Sequence, residues 1–219
     1  MMQIDTERAA KAVSRMVEDR QFEGKPARSV ILERSYATGI DDVWDALTNG
    51  ERIPRWFLPV SGDLRLGGRY QLRGNAGGTI TDCEPPRRLG LTWEFGGQTS
   101  WVFVTLSESD AEQTRLRLEH VAPIDAKAME FWDQFGPGAV GVGWDLAVMG
   151  LGQHLETGES IGHEAGEEWG RSDEGKAFVR LSSKAWSDAS AAFGTDPEAA
   201  AAAGERTTAF YTGSGDTAG

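Results

Sequence analysis

Between residues 62 and 121 the chain is a succession of short β-rich runs: GDLRLGGRYQLRG, GGTITDCEPPRRL, LGLTWEFGG, QTSWVFVTLSES and QTRLRLEHV. Gly, Pro, Asn, Asp or Ser divides each run from the next. Three of the runs alternate apolar and polar residues with period two. Alternation with close turns implies an antiparallel meander that has one covered face and one wet face. The count assigns Leu89, Leu91, Trp93 and Phe95 to the covered face. It adds Trp101, Phe103 and Thr105 from the next run, and Leu116, Leu118 and His120 from the last. Arg115, Arg117 and Glu119 take the opposite face. The covered face read this way is rich in aromatic rings.

Helical patterns flank the meander. SVILERSY (29–36) reads as a strand, and Thr38 or Asp41 caps the helix after it, which carries Val43, Trp44 and Leu47 on one side. Asn49-Gly50 ends that helix, and a short helix or turn over 51–57 delivers Trp56 and Phe57. Beyond Pro123 a loop with Phe131, Trp132 and Phe135 leads to a helix over 140–156. There Val140, Trp144, Ala147 or Val148, Leu151 and Leu155 recur at helical spacing. Six glycines between 136 and 152 let this helix approach a sheet closely or leave space for a ligand.

The two ends read as extensions. Ile4, Val13, Met16 and Val17 fall near one face of a single amphipathic helix over 3–22, closed by Gly24 and Pro26. From 159, HEAGEEWGRSDEGK reads as a polar loop. A helix with Phe178, Leu181, Ala185, Ala189 and Phe193 on one stripe follows. Thr195-Asp196-Pro197-Glu198 then opens another, with a capping residue, an early proline and Glu198 placed for a capping box.

Composition narrows the function classes. At 219 residues the chain suits one domain with extensions and buries a core without disulfides or structural metal. A net charge of −12 disfavours nucleic acid and anionic membrane as partners. No apolar run is long enough to span a bilayer, and MMQIDTERAAKAVSRM lacks the apolar centre of a signal peptide. Cys83, alone, supports neither an internal disulfide nor a cysteine-based zinc site. The expectation is a cytoplasmic protein.

The order of elements, and the stretches DVWDALTNGERIPRWF, GDLRLGGRY, GGTITDCEPPRRLGLTWEF and GVGWDLAVMGLGQHLETG, carry a resemblance. Residues 29–158 resemble the activator of heat shock protein 90 ATPase-like family of the START-like (SRPBCC, Bet v 1-like) superfamily. The resemblance implies an α+β helix-grip (START-like) fold, a curved antiparallel sheet wrapped around a long C-terminal helix. On this reading residues 1–25 are an N-terminal helical extension, 26–158 the START-like domain and 159–219 an acidic helical C-terminal extension. Members of the superfamily often enclose an apolar cavity between sheet and helix. Some bind lipids, hormones or polyketides there, and a few catalyse cyclisation or hydration.

The ligand expected is therefore a small hydrophobic molecule. Tyr70, Trp93, Trp101, Phe103, Leu118, His120, Trp132, Trp144 and Val148 are the expected cavity residues. The same rings would also serve simply to fill the core. His120 is the best proton carrier if the pocket is that of a polyketide cyclase or hydratase, but no catalytic arrangement is evident and no catalysis is inferred. GPGAVG (136–141) satisfies the G-x-G-x-x-G spacing but lacks the preceding parallel strand of a dinucleotide site. His163, Glu164, Glu167 and Glu168 read as a solvated loop, so neither metal nor cofactor is expected. The remaining alternative is a chaperone-associated or regulatory interaction module, and the C-terminal extension offers a homodimer surface.

Overall fold

Glu23 and Gly24 take φ of 49° and 74° in the computed structural model, a turn with two left-handed residues. Such a turn matches the twist of two flanking strands, and glycine enters it without steric cost. It joins β1 (Val13–Phe22) to β2 (Lys25–Tyr36), so the single N-terminal helix expected over 3–22 does not form. Only α1 (Thr6–Lys11) is helical there, capped by Asp5, whose carboxylate accepts from the Arg8 amide. The pattern misled because a spacing of four fits both periods. Val13 and Val17 are buried on alternate strand positions, while Met16, counted on the helical stripe, is 42% exposed.

The structure describes residues 4–110, 112–161 and 163–214, without the side chains of 109, 110 and 163. After β2 come α2 (Ile40–Thr48), a 3-10 turn (Ile53–Arg55), β3 (Val60–Gly62), β4 (Arg69–Leu72), β5 (Gly77–Glu84), β6 (Arg88–Phe95), β7 (Gln98–Asp110) and β8 (Gln113–Pro123). Helices α3 (Ala126–Phe135), α4 (Gly138–Thr157), α5 (His163–Arg171), α6 (Asp173–Phe193) and α7 (Pro197–Thr212) follow. One sheet has the order β1-β2-β8-β7-β6-β5-β4-β3, antiparallel from β3 through β8. With the long helix α4 these are the elements of an α+β helix-grip fold.

Several local expectations change. Gly39, not Thr38 or Asp41, occupies the N-cap of α2. The stretch with Phe131, Trp132 and Phe135 is the helix α3, capped by Asp125 and ended by Gly136 at φ 61°. A helix therefore precedes GPGAVG where a dinucleotide site needs a strand. The polar stretch from His163 is α5, whose Trp169 is buried 6.0 Å from Phe178. Asp196 caps α7 by accepting from the Ala199 amide, which leaves Glu198 two residues after the cap instead of the three that a capping box needs.

The chain divides into two units. The first comprises Met1–Leu32, Pro123–Leu146 and Gly166–Gly219, the second Glu33–Ala122 and Ala147–Ala165. In the first, α6 buries Phe178 and Trp186 completely. Its buried side is Gly175, Phe178, Val179, Ser182, Ser183, Trp186 and Ser190, with Leu181 exposed, so the apolar stripe expected from sequence is rotated. Asp145 of α4 is fully buried in this unit, and one carboxylate oxygen, Oδ2, takes three donors. They are Arg15 Nε at 2.9 Å, Trp186 Nε1 at 3.1 Å and the Ser182 hydroxyl at 2.5 Å.

In the second unit, β4 and β5 hold a cluster of Tyr70, Leu72 and Ile80. Trp56, in the stretch with two tryptophans, donates its indole N–H to the Ala46 carbonyl at 2.9 Å and stacks on Phe57. That bond ties the turn after α2 back onto α2. Both rings thus serve packing.

Candidate functional site

The strand register defines the covered face of the second unit. Leu89, Leu91 and Trp93 on β6 stand opposite Val104, Val102 and Ser100 on β7. Val102, Val104 and Leu106 stand in turn opposite His120, Leu118 and Leu116 on β8. Residues directly opposite in an antiparallel pair share a face, so these side chains form one surface. Val102, Val104, Leu106, Leu116 and Leu118 are buried there, while Leu89, Leu91 and Trp93 keep part of their surface exposed.

Trp101 and Phe103 do not belong to this surface. Their partners are Thr92 and Val121, and Gly90 and Glu119, so both lie on the opposite face with Thr105 and Arg117. Phe103 lies against Gly90 there. In WVFVTL either alternate set is apolar, so period alone does not choose between faces. Counting the aromatic residues inward selected the wrong set, because the smaller valines and Leu106 are the buried ones.

His120 is the polar centre of the covered face. Its Nε2 is 2.8 Å from the Ser100 hydroxyl, and its ring meets Trp93 edge-on with centroids 6.1 Å apart. Burial pulls the imidazole down to about 4, so it is neutral at physiological pH. Tyr70 donates its hydroxyl to the Thr92 carbonyl at 2.7 Å, and burial pushes its phenol up. Trp93 packs against the cluster around Tyr70. Of the residues expected at the site, the second unit thus places Trp93, Leu118 and His120 on one face and Tyr70 beside Trp93.

Val148, also in this unit, is buried on α4 and contributes its carbonyl, which accepts from Arg34 Nη1 at 2.9 Å and from the Tyr36 hydroxyl at 3.0 Å. Trp132 and Trp144 fall in the first unit. The Arg28 guanidinium lies 4.5 Å from the Trp132 ring and pairs with Asp19, so Trp132 stacks on a cation.

Arg34, Tyr36 and Ser100 are residues of this unit that sequence reasoning did not single out. Arg34 was nonetheless legible. Counting by two from the buried Leu32 turns Arg34 and Tyr36 inward, and an arginine at an inward strand position calls for an explanation.

His154 belongs to a separate cluster in which Arg52 Nε donates to Nε2 at 3.0 Å and the Glu159 carbonyl lies 2.7 Å from Nδ1. The Arg52 donor requires Nε2 to accept, which leaves the ring proton on Nδ1. Among the described residues no three His, Cys, Asp or Glu side chains converge as a metal site, and the side chain of His163 lies outside them. No described helix is long and apolar enough to cross a membrane.

The model of the family described as Activator of Hsp90 ATPase homolog 1-like protein matches residues 37–156. The crystal structure of CalU16 from Micromonospora echinospora is 36% identical, with 78% of this chain and 98% of that chain covered at a TM-score of 0.57. The solution structure of CalU16 covers 92% and 94% at 33% identity and a TM-score of 0.61. DynU16, a protein of the dynemicin biosynthetic locus, is 25% identical over 62% of this chain and 50% of that one, with a TM-score of 0.53. No curated protein matches the chain.

Proposed function

The chain belongs to the Activator of Hsp90 ATPase homolog 1-like family, and from that premise we propose that it is a cytoplasmic protein that binds a small hydrophobic ligand. The ligand lies on the covered face of the second unit, against Leu89, Leu91, Trp93 and the His120–Ser100 pair. The observation that carries this reading is the uneven burial of that face. Its β7 and β8 residues are buried, whereas Leu89, Leu91 and Trp93 on β6 retain exposed apolar surface around one neutral hydrogen-bonding pair. A surface of mostly apolar groups with a few placed polar ones suits an organic molecule. DynU16, from a biosynthetic locus, adds support for a small organic molecule. Binding is favoured over catalysis because an imidazole held near 4 is a feeble base at neutral pH.

Native mass spectrometry of the protein taken from its own host tests the reading. The expected spectrum contains a component heavier than the bare chain by one small molecule. That molecule is released on denaturation, and its occupancy falls in Trp93→Ala. A bare chain throughout, including after incubation with host lipid and metabolite extracts, overturns the proposal.

A further inference from the structure

Arg34 holds an inward strand position that an apolar side chain ordinarily fills. Its neighbour Glu33 pairs with Arg117 at 2.9 Å and with Arg115 at 3.8 Å, and so faces the wet side of the sheet. Strand alternation then turns Arg34 and Tyr36 to the other side, the side of Leu116, Leu118 and His120. The Val148 carbonyl, which both reach, confirms the direction. The guanidinium lies 5.1 Å from the Tyr36 ring. Helix α4 leaves room for it, since a Cβ at Gly152 would stand 2.5 Å from Nη2 and 2.9 Å from Cζ.

Among the described residues this cation has no counter-charge. Arg15 pairs with Asp145, and Arg52 with Asp42 and Asp45. Arg34 has the Val148 carbonyl and the Tyr36 ring, and among the described residues no carboxylate pairs with it. Its Nε is buried and donates to no acceptor among the described residues. A half-buried guanidinium with an idle donor is costly to keep unless something anionic supplies the missing acceptor. Lysine would serve a structural contact to one carbonyl, whereas the planar fork of arginine matches an oxyanion.

We infer that the ligand of the second unit is an organic acid, whose apolar body lies on the covered face and whose oxyanion is bound by Arg34. The inference rests on the ligand-binding reading and specifies the class of ligand. An uncharged ligand would leave Arg34 as it stands, with Nε unmatched.

Two probes separate the readings in the 219-residue chain. They are 8-anilinonaphthalene-1-sulfonate, an anionic arene, and N-phenyl-1-naphthylamine, the same ring system without the sulfonate. Both should bind with fluorescence enhancement and be displaced from each other. Arg34→Gln should weaken the sulfonate at least about tenfold, the scale of one charge-assisted pair, and leave the neutral amine within about twofold. Gly152→Ala retains every charge and crowds the guanidinium. It should weaken the sulfonate selectively as well, and it serves as the deciding variant if circular dichroism shows that Arg34→Gln is unfolded. If the amine binds and both variants treat the two probes alike, the role of Arg34 is overturned while ligand binding stands. If neither probe binds the wild-type protein, both readings fall.

Discussion

Asp145 and His120 show how single buried groups set the energetics of this protein. In Asp145 the oxygen Oδ2 gathers Arg15, Ser182 and Trp186, while the equally buried Oδ1 has no hydrogen-bond partner among the described residues. Burial raises the carboxyl pKa, and Arg15, Ser182 and Trp186 oppose that rise. Removing one member of such a pair is worse than removing both, because the survivor remains buried and charged. Arg15→Met should therefore cost about 3–5 kcal/mol in urea unfolding. Adding Asp145→Leu should restore a large part of that loss. Equal losses for the single and double variants would deny the pairing any role. His120 acts through pH. Its folded value near 4 lies below the ordinary imidazole value of 6.5, so the folded state binds fewer protons between the two. Stability from this group is complete above about pH 6.5 and declines as pH falls toward 4, by about 3 kcal/mol in all. His120→Gln should flatten that part of the stability–pH curve relative to wild type. An unchanged slope would mean that the imidazole is solvated.

At the scale of elements, what the chain reveals depends on whether two periods compete for the same residues. α4 and the strands of the meander were legible as elements because their apolar spacing fits one period, helical or strand, and not the other. β1 was not, since Val13 and Val17 satisfy a helix and a strand alike, and the decisive partner, Asp145, lies 128 residues beyond Val17. In α6 the buried side includes Ser182, Ser183 and Ser190, which no hydrophobic count includes. Ser182 is there for Asp145. The candidate site was half legible for the same reason: Trp93, Leu118 and His120 follow from period two, while Trp101 and Phe103 compete with the valines between them. Two isosteric exchanges in β7 test the assignment of faces. Val102→Thr places a hydroxyl on the covered face and should cost about 1–3 kcal/mol. Thr105→Val, on the exposed side, should change stability by less than about 0.5 kcal/mol. The reverse order would put Trp101 and Phe103 back on the covered face.

At the scale of the whole molecule, sequence neighbourhood and structural unit part company. The first unit is assembled from three separated stretches, and residues 166–219, which read as an appended tail, supply its largest fully buried side chains, Trp186 and Phe178. Trp186 donates to Asp145, which also receives Arg15 from β1, so one buried carboxylate joins residues from all three stretches. A segment that contributes the core of a unit opens together with it. Trp186→Ala removes that core and should cost about 3–5 kcal/mol. In hydrogen exchange by mass spectrometry on the full chain, protection should fall together in α1, β1, α6 and α7. The ladder of β5, β6 and β7 in the second unit should keep its protection at mild denaturant. If β1 instead retained full protection while α6 and α7 lost theirs, the C-terminal helices would be an accessory layer and the three-stretch unit would not be cooperative. The test bears on the proposed ligand site as well, because Trp93, His120 and Arg34 all belong to the second unit.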